Sequence, residues 1–216
     1  MGVLFVTLRG MHEQWKEVAQ MAEQWQIVGK VAPEPERPNM PGYGIVEDAE
    51  GLLRWGEVTE QLERARNYWV CTVRPDGRPH AAPVWGLWLD DAFYFSTGHD
   101  SVKGRNLARN PAVAVHLESG DDAVMLEGRV ERVADPAILA RFDQAYGAKY
   151  GFYPIRDAPN PDDPGLFYAL RPTVAFAWRE RDFPQTATRF RFPRRAASAT
   201  PAAGSGTPPP GGPADA

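Results

Sequence analysis

The sequence predicts a mainly β protein, an antiparallel barrel carrying a few peripheral helices. Three observations predict it. Short runs rich in β-formers recur through the middle of the chain, among them "YWVCTVR", "AFYFST", "AVAVHLES" and "VMLEGRVERV". Tight-turn signals separate them, "PDGR", Asp90-Asp91 and "GDDA", so that consecutive strands pair as hairpins. Segments with helical spacing are few and fall before or between the strands.

Taken in order, the chain begins with an appendage. Trp15, Val18, Ala19, Ala22 and Trp25 recur at helical spacing, and "APEPERPNMPGYG" then breaks all regular structure with its prolines. Residues 1–41 therefore read as a helix and a Pro-rich linker, or as sequence ahead of a true start at Met40. The domain proper spans residues 42–192. "RWGEVTEQLERARN" places Trp55, Val58, Leu62 and Ala65 on one face of a helix over residues 55–66. "YWVCTVR" and "PHAAPVWGLWL" form the first hairpin, and Pro79 and Pro83 put the second strand at an edge. "AFYFST" is the third strand, "DSVKGRNLARN" a short helix stopped by Pro111, and "AVAVHLES" the fourth. "VMLEGRVERV" is the fifth, with a bulge at Gly128. Asp135 caps the next helix with Pro136 in its first position. A long Pro/Asp loop over Tyr153 to Pro164 precedes "LFYALRPTVAFAWR", a strand bent at Pro172, and "TRFRF" adds a last short one. Residues 193–216 are a Pro/Ala/Gly/Ser tail without the apolar content for a core.

Composition narrows the function classes. The net charge of -4 recruits neither nucleic acid nor an anionic membrane, so any phosphate chemistry must come from a local patch. Cys71 is the single cysteine, with no disulfide partner, and reads as a small buried hydrophobe. No apolar run approaches the ~20 residues of a membrane span, and "GVLFVTL" lacks the basic flank of a signal segment. The expectation is a soluble cytoplasmic protein. Arg outnumbers Lys 20 to 4, which makes each lysine worth inspection.

Catalytic constellations are missing. The sequence holds no G-x-S-x-G, P-loop, H-E-x-x-H or C-x-x-C, and His12, His80, His99 and His116 lack metal-ligand spacing. His116 reads as a sheet-face residue, and Asp90, Asp91, Asp121 and Asp122 as turn formers. What remains is "STGHDSVKGRN", Ser96 to Asn106, where a strand runs straight into a helix. A helix N-terminus offers unpaired N–H groups and partial positive charge. Ser96, Thr97 and Ser101 add hydroxyls, Lys103 and Arg105 add charge, and Gly98 admits close backbone approach. The segment reads either as an anion cradle or as an ordinary connection with a solvated basic face.

The continuous pattern "TVRPDGRPHAAPVWGLWLDDAFYFSTGHDSVKGRNLARNPAVAVHLE", with "EGRVERV" behind it, resembles the pyridoxamine 5'-phosphate oxidase-like split-barrel superfamily. Within it, the pattern is similar to the flavin/deazaflavin oxidoreductases that include coenzyme F420-dependent reductases. The resemblance covers about Trp55 to Arg179 and is most specific between Val73 and Leu117. It implies a six-stranded split β-barrel forming a homodimer, with two flavin-type cofactors in grooves at the subunit interface. It also implies that His80, Pro83, Val84 and Trp85 run under the cofactor ring. Ser96 and Thr97 would be the polar pair ending the next strand. Ser101 and Lys103 would contact phosphate, with Arg105 and Asn106 one turn on. Flavin-5'-phosphate oxidases of this fold often flank the ring segment with Arg or Lys, where this chain has His80 and Trp85. They also carry basic substrate residues near the C-terminus that the Pro-rich tail lacks. Pyridoxamine phosphate oxidation is therefore not expected.

The functional expectation is an oxidoreductase that uses coenzyme F420 or FMN to pass hydride to a small conjugated substrate, acting on CH–CH groups. The cofactor carries the reaction, so no dedicated acid or base is required. Trp85, Trp88 and Tyr153 are the candidates for the substrate face, and His80 and Tyr153 for proton donation. FMN ends in a phosphate, whereas F420 has a phosphodiester and an anionic oligoglutamate tail; Lys103, Arg105 and Arg109 would track either. The Trp-Gly-Leu-Trp pattern and the missing flanking basic residue favour F420. The rival readings are a non-catalytic flavin, F420 or haem carrier or sensor of the same fold, and a dimerising interaction module.

Overall fold

The structure, a computed structural model, describes residues 32–160 and 165–193. The helix expected around Trp15 to Trp25, the tail beyond residue 193 and part of the Pro/Asp loop lie outside the described residues. The elements run β1 (Glu34–Glu36), α1 (Trp55–Arg64), β2 (Tyr68–Val73), β3 (Pro79–Val84), β4 (Gly86–Leu89), β5 (Ala92–Thr97) and α2 (Val102–Arg109). Then come β6 (Ala112–His116), β7 (Asp122–Arg132), α3 (Pro136–Tyr150), β8 (Leu166–Arg179), α4 (Phe183–Thr186) and β9 (Thr188–Arg191). Among the described residues the architecture is mainly β, as expected, with nine antiparallel strands in one sheet that does not close.

Turn chemistry sets the hairpins. Gly77, at φ 84°, lets Arg74 and Arg78 pair across the β2–β3 turn, and the Asp90-Asp91 pair takes positive φ at both positions between β4 and β5. The fourteen-residue β8 is the spine: β7 lies along one side, while the other carries β5 on its first half and β9 on its second. The register shift at Glu127/Gly128 is the expected bulge. From one end the order is β3-β2-β6-β7-β8, and β5 then β4 continue from β8. The edges β3 and β4 are thus consecutive pieces of one run, separated only by Trp85.

Two differences from the sequence reading follow from long-range contacts. "PHAAPVWGLWL" is two strands, because Gly86 is captured between them: Tyr150 Oη accepts from its N–H at 3.1 Å and lies 2.8 Å from its carbonyl. And the Pro-rich linker contains a strand of the domain: β1 pairs with β9, and Glu36 accepts from Arg189 (2.7 Å) and from Arg191. Prolines are tolerated there because β1 is an edge.

Apolar residues of both sheet faces find cover. The larger cluster gathers Val58 and Leu62 of α1 against Tyr68, Phe93, Phe95, Leu126 and Phe190. Each such fully buried side chain contributes about 1.5–3 kcal/mol through area removed from water. The smaller cluster seats Phe142 and Tyr146 of α3 on Leu87, Tyr94 and Phe167. Asp135 caps α3 through Ala137 N–H (2.8 Å) with Pro136 in the first turn, as its sequence predicts. Cys71 is half-buried rather than a core residue, because alternation along β2 sends Val70 and Thr72 inward and Cys71 to the other face.

Candidate cofactor site

The end of β5, the start of α2 and the strand β3 converge on one side of the sheet. Ser101 is the N-cap of α2: its Oγ accepts from Gly104 N–H at 2.9 Å and lies 2.8 Å from Thr97 Oγ1. Both hydroxyls are thus committed to the turn. The glycine that the geometry demands is Gly104, where a Cβ would meet the Gly98 carbonyl at 2.6 Å. At Gly98, assigned the close approach from sequence, a Cβ would meet nothing within 4 Å.

What stays available is a compact donor set. Val102 and Lys103, the first residues of the helix, have N–H groups with no intrahelical acceptor. Ser96 is half-buried, and its hydroxyl has no protein partner among the described residues. Lys103 is half-buried as well, and burial pulls its ammonium below the usual lysine range. No carboxylate or carbonyl among the described residues accepts from it. A half-buried cation without an acceptor is costly in the empty site and favours an anion there.

Asn106 plays another part than the expected one. It is 2% exposed, and its Nδ2 donates to Thr72 Oγ1 at 2.9 Å, tying α2 to β2. Thr72 Oγ1 in turn lies 3.3 Å from the Nδ1 of His80 and donates to the His80 carbonyl at 3.4 Å. The surroundings keep the imidazole neutral: burial first, then the charges of Arg74 and Lys103, hold His80 below its ordinary range. Arg105 is exposed and its guanidinium donates to the Asp100 carbonyl.

The ring segment divides by strand alternation. His80 is half-buried, Pro83 is exposed, and Val84 is turned into the core at 8% exposure, so only its backbone faces outward. Trp85 is 40% exposed and stacks on Tyr150 at 4.8 Å with ring planes 5° apart. Two residues expected at the substrate face are placed elsewhere. Trp88 is buried in the main core, edge-on to Trp55 at 5.8 Å. Tyr153 is pinned to α3: a Cβ on Gly147 would fall 2.1 Å from its ring, and the Arg156 guanidinium lies 4.1 Å from its centroid. His116 is a sheet-face residue, its Nδ1 2.7 Å from the Leu117 carbonyl.

Sequence reasoning missed a cluster beyond Trp85. Lys149 Nζ donates to Tyr68 Oη at 2.9 Å and to the Gly86 carbonyl at 3.3 Å, and it sits over the rings of Tyr68 and Tyr150. Burial pushes its amine down to about 8. Arg66 lies over Trp85 and Tyr150. The scarcity of lysine was a signal for Lys149 as much as for Lys103. Among the described residues no group of His, Cys, Asp and Glu could hold a metal.

This ordered run of hairpins, bulge and capped turn matches a known pattern across most of the sheet. The family model described as pyridoxamine 5'-phosphate oxidase matches residues 55–179. The chain belongs to that family. The pyridoxine/pyridoxamine 5'-phosphate oxidase of Cupriavidus necator is 35% identical over 118 residues, 50% of this chain and 56% of that protein. The chain thus spans about half the length of the curated relatives it matches. A solved conserved hypothetical protein from Mycobacterium tuberculosis shares the fold at a TM-score of 0.54 and 24% identity, over 72% of this chain and 98% of that one. A solved F420 reductase matches at 29% identity and a TM-score of 0.45, over 54% of this chain and 93% of its own. No helix among the described residues is long and apolar enough to cross a membrane.

Proposed function

We propose that the protein is a homodimeric oxidoreductase that binds coenzyme F420 or FMN and reduces a small conjugated organic substrate. The observation that carries the reading is Lys103, a half-buried ammonium without an acceptor beside the free N–H groups of a helix start. These groups fit an anion of the cofactor's phosphate kind. Ser96 would add a hydroxyl donor, while Thr97 and Ser101 hold the turn in shape. Strand β3 would lie under the ring, offering Pro83, Trp85 and the backbone of Val84. The partly exposed face of Trp69, Cys71, Val73 and Ala81 suits the second copy.

When bound, such a cofactor supplies a transferable hydride. The chain's own residues orient it and exclude water at the Trp85–Tyr150 platform, with His80 beside the ring segment. Asn106 and Thr72 position His80 from behind, through the contacts of Thr72 Oγ1 with its ring and its carbonyl. Alanine at position 82 and histidine at 80 leave the ring segment without a guanidinium or ammonium, which favours F420 over the oxidase chemistry named for the curated relatives.

Reconstitution with FMN and with F420 in parallel tests the reading, followed by turnover of the reduced form with simple enones. Stoichiometric binding with oxidation of the reduced cofactor by an enone is the expected result. A cofactor that binds and is never oxidised makes the protein a carrier, and no binding of either removes the site.

A further inference from the structure

The same helix has a second basic face, turned away from the Lys103 end. The β2–β3 turn lies beside α2, and a half-open pocket of about 240 Å³ lies between them. Its walls carry four guanidiniums, Arg74 and Arg78 from the turn and Arg105 and Arg109 from the helix, against the single carboxylate of Asp76. That carboxylate is already taken, since Arg78 holds it at 2.8 Å. Arg105 donates to a backbone carbonyl at the mouth. Arg74 and Arg109 have no acceptor among the described residues.

Several other arginines among the described residues have acceptors. Arg141 pairs with Asp90, Arg156 with Asp143, Arg179 with Glu57 and Arg189 with Glu36. Arg37 satisfies four backbone carbonyls. Among the described residues of this chain of net charge -4, the pocket gathers four guanidiniums around one carboxylate. Set close together on a hairpin turn and a helix, these side chains repel one another, and an anion between them relieves that repulsion. Planar guanidiniums present paired donors matched to phosphate and carboxylate oxygens. Pro75 and Val102 give the cavity an apolar floor that lowers the screening by water.

We infer that this pocket is a second anion site, separate from the Lys103 end, for a ligand bearing at least two negative charges of the diphosphate or oligocarboxylate kind. Arg74 links the two sites, since its charge reaches His80 as does that of Lys103. The inference rests on the pocket itself and not on the proposed activity.

The test uses inorganic pyrophosphate and tri-glutamate as probes, titrated calorimetrically into the full chain at low ionic strength. Saturable binding of at least one is expected, weakened about tenfold or more in an Arg74→Gln/Arg109→Gln variant, since charge-assisted bonds are each of that order. Any binding event at the Lys103 end is lost in Lys103→Ala, whereas the event removed by Arg74→Gln/Arg109→Gln remains in that variant. Failure of both probes to saturate overturns the inference. So does equal weakening by an Arg64→Gln/Arg181→Gln control, which would show diffuse charge only. Competition separates the two sources of such an anion. Displacement by oligoglutamate-bearing F420 but not by FMN assigns the pocket to a cofactor's tail. Displacement by neither assigns it to a free anion, and displacement by FMN overturns the idea of a second site.

Discussion

The run from Arg74 to Leu89 has cations at both ends, and the two ends treat them in opposite ways. At the Trp85 end, Lys149 is bonded to Tyr68 and Gly86 and lies on two rings, and Arg66 covers the Trp85–Tyr150 stack. At the hairpin end, Arg74, Arg109 and Lys103 have no acceptor among the described residues. The first arrangement has spent its charge on the fold. The second holds charge in reserve, and a reserve of that kind is stable only if something else completes it.

The contrast predicts that the two ends break differently. The largest effect belongs to Tyr68, fully buried, whose hydroxyl donates to the Leu62 carbonyl and receives Lys149. Tyr68→Ala should cost about 3–5 kcal/mol of stability, by cavity and lost bonds together, read from urea unfolding. Next comes Lys103→Ala, which should weaken cofactor affinity by about 1.5–3 kcal/mol in a fluorescence titration. Without cofactor the same variant should be at least as stable as the parent, because it loses a desolvated charge and no bond. A large stability loss there would erase the distinction between the ends. Asn106→Ala, which severs the bond to Thr72, should cost about 1 kcal/mol of stability. It should also shift the ring-nitrogen NMR signals of His80, which a purely structural role would not move.

The smallest effect is a pH slope. Lys149 titrates at about 8 in the fold and near 10.4 when unfolded. The unfolded chain therefore binds more protons between those values, and stability rises with pH across that window. The facing tyrosines Tyr68, Tyr146 and Tyr150 are all pushed up by burial, so above about pH 10 they oppose the trend. Unfolding midpoints from pH 7.5 to 9.5 should climb in the parent and stay level in Lys149→Met. A parent that is already level would mean that Lys149 is solvated.

What the sequence made legible was local. Asp76-Gly77, Asp90-Asp91, Asp135-Pro136 and Gly128 each announce their turn, cap or bulge through chemistry contained within a few residues. What it hid depends on residues far apart in the chain. The break at Gly86 needs the hydroxyl of Tyr150, and β1 needs the arginines of β9. Tyr153 read as a loop residue free for the substrate face because Gly147, which receives its ring, gives no sign in sequence of having a guest. The family resemblance implied a cofactor contact for Asn106, while the inward pull of Thr72 is invisible without the sheet. The Lys103 site was partly readable, since hydroxyls, glycines and a rare lysine cluster within one segment. Its arginine neighbour was not, because the β2–β3 turn meets α2 only after folding.

The position of β8 has a consequence for how the protein is made. Strands β5 and β7 leave the ribosome early, yet each keeps an unpaired edge until residues 166–179 arrive to lie between them. The contacts that complete the sheet are thus its most distant in sequence, with β1 waiting longest, for Thr188–Arg191. Topology of this kind folds slowly and late. A nascent chain arrested before residue 166 would expose two adhesive strand edges at once.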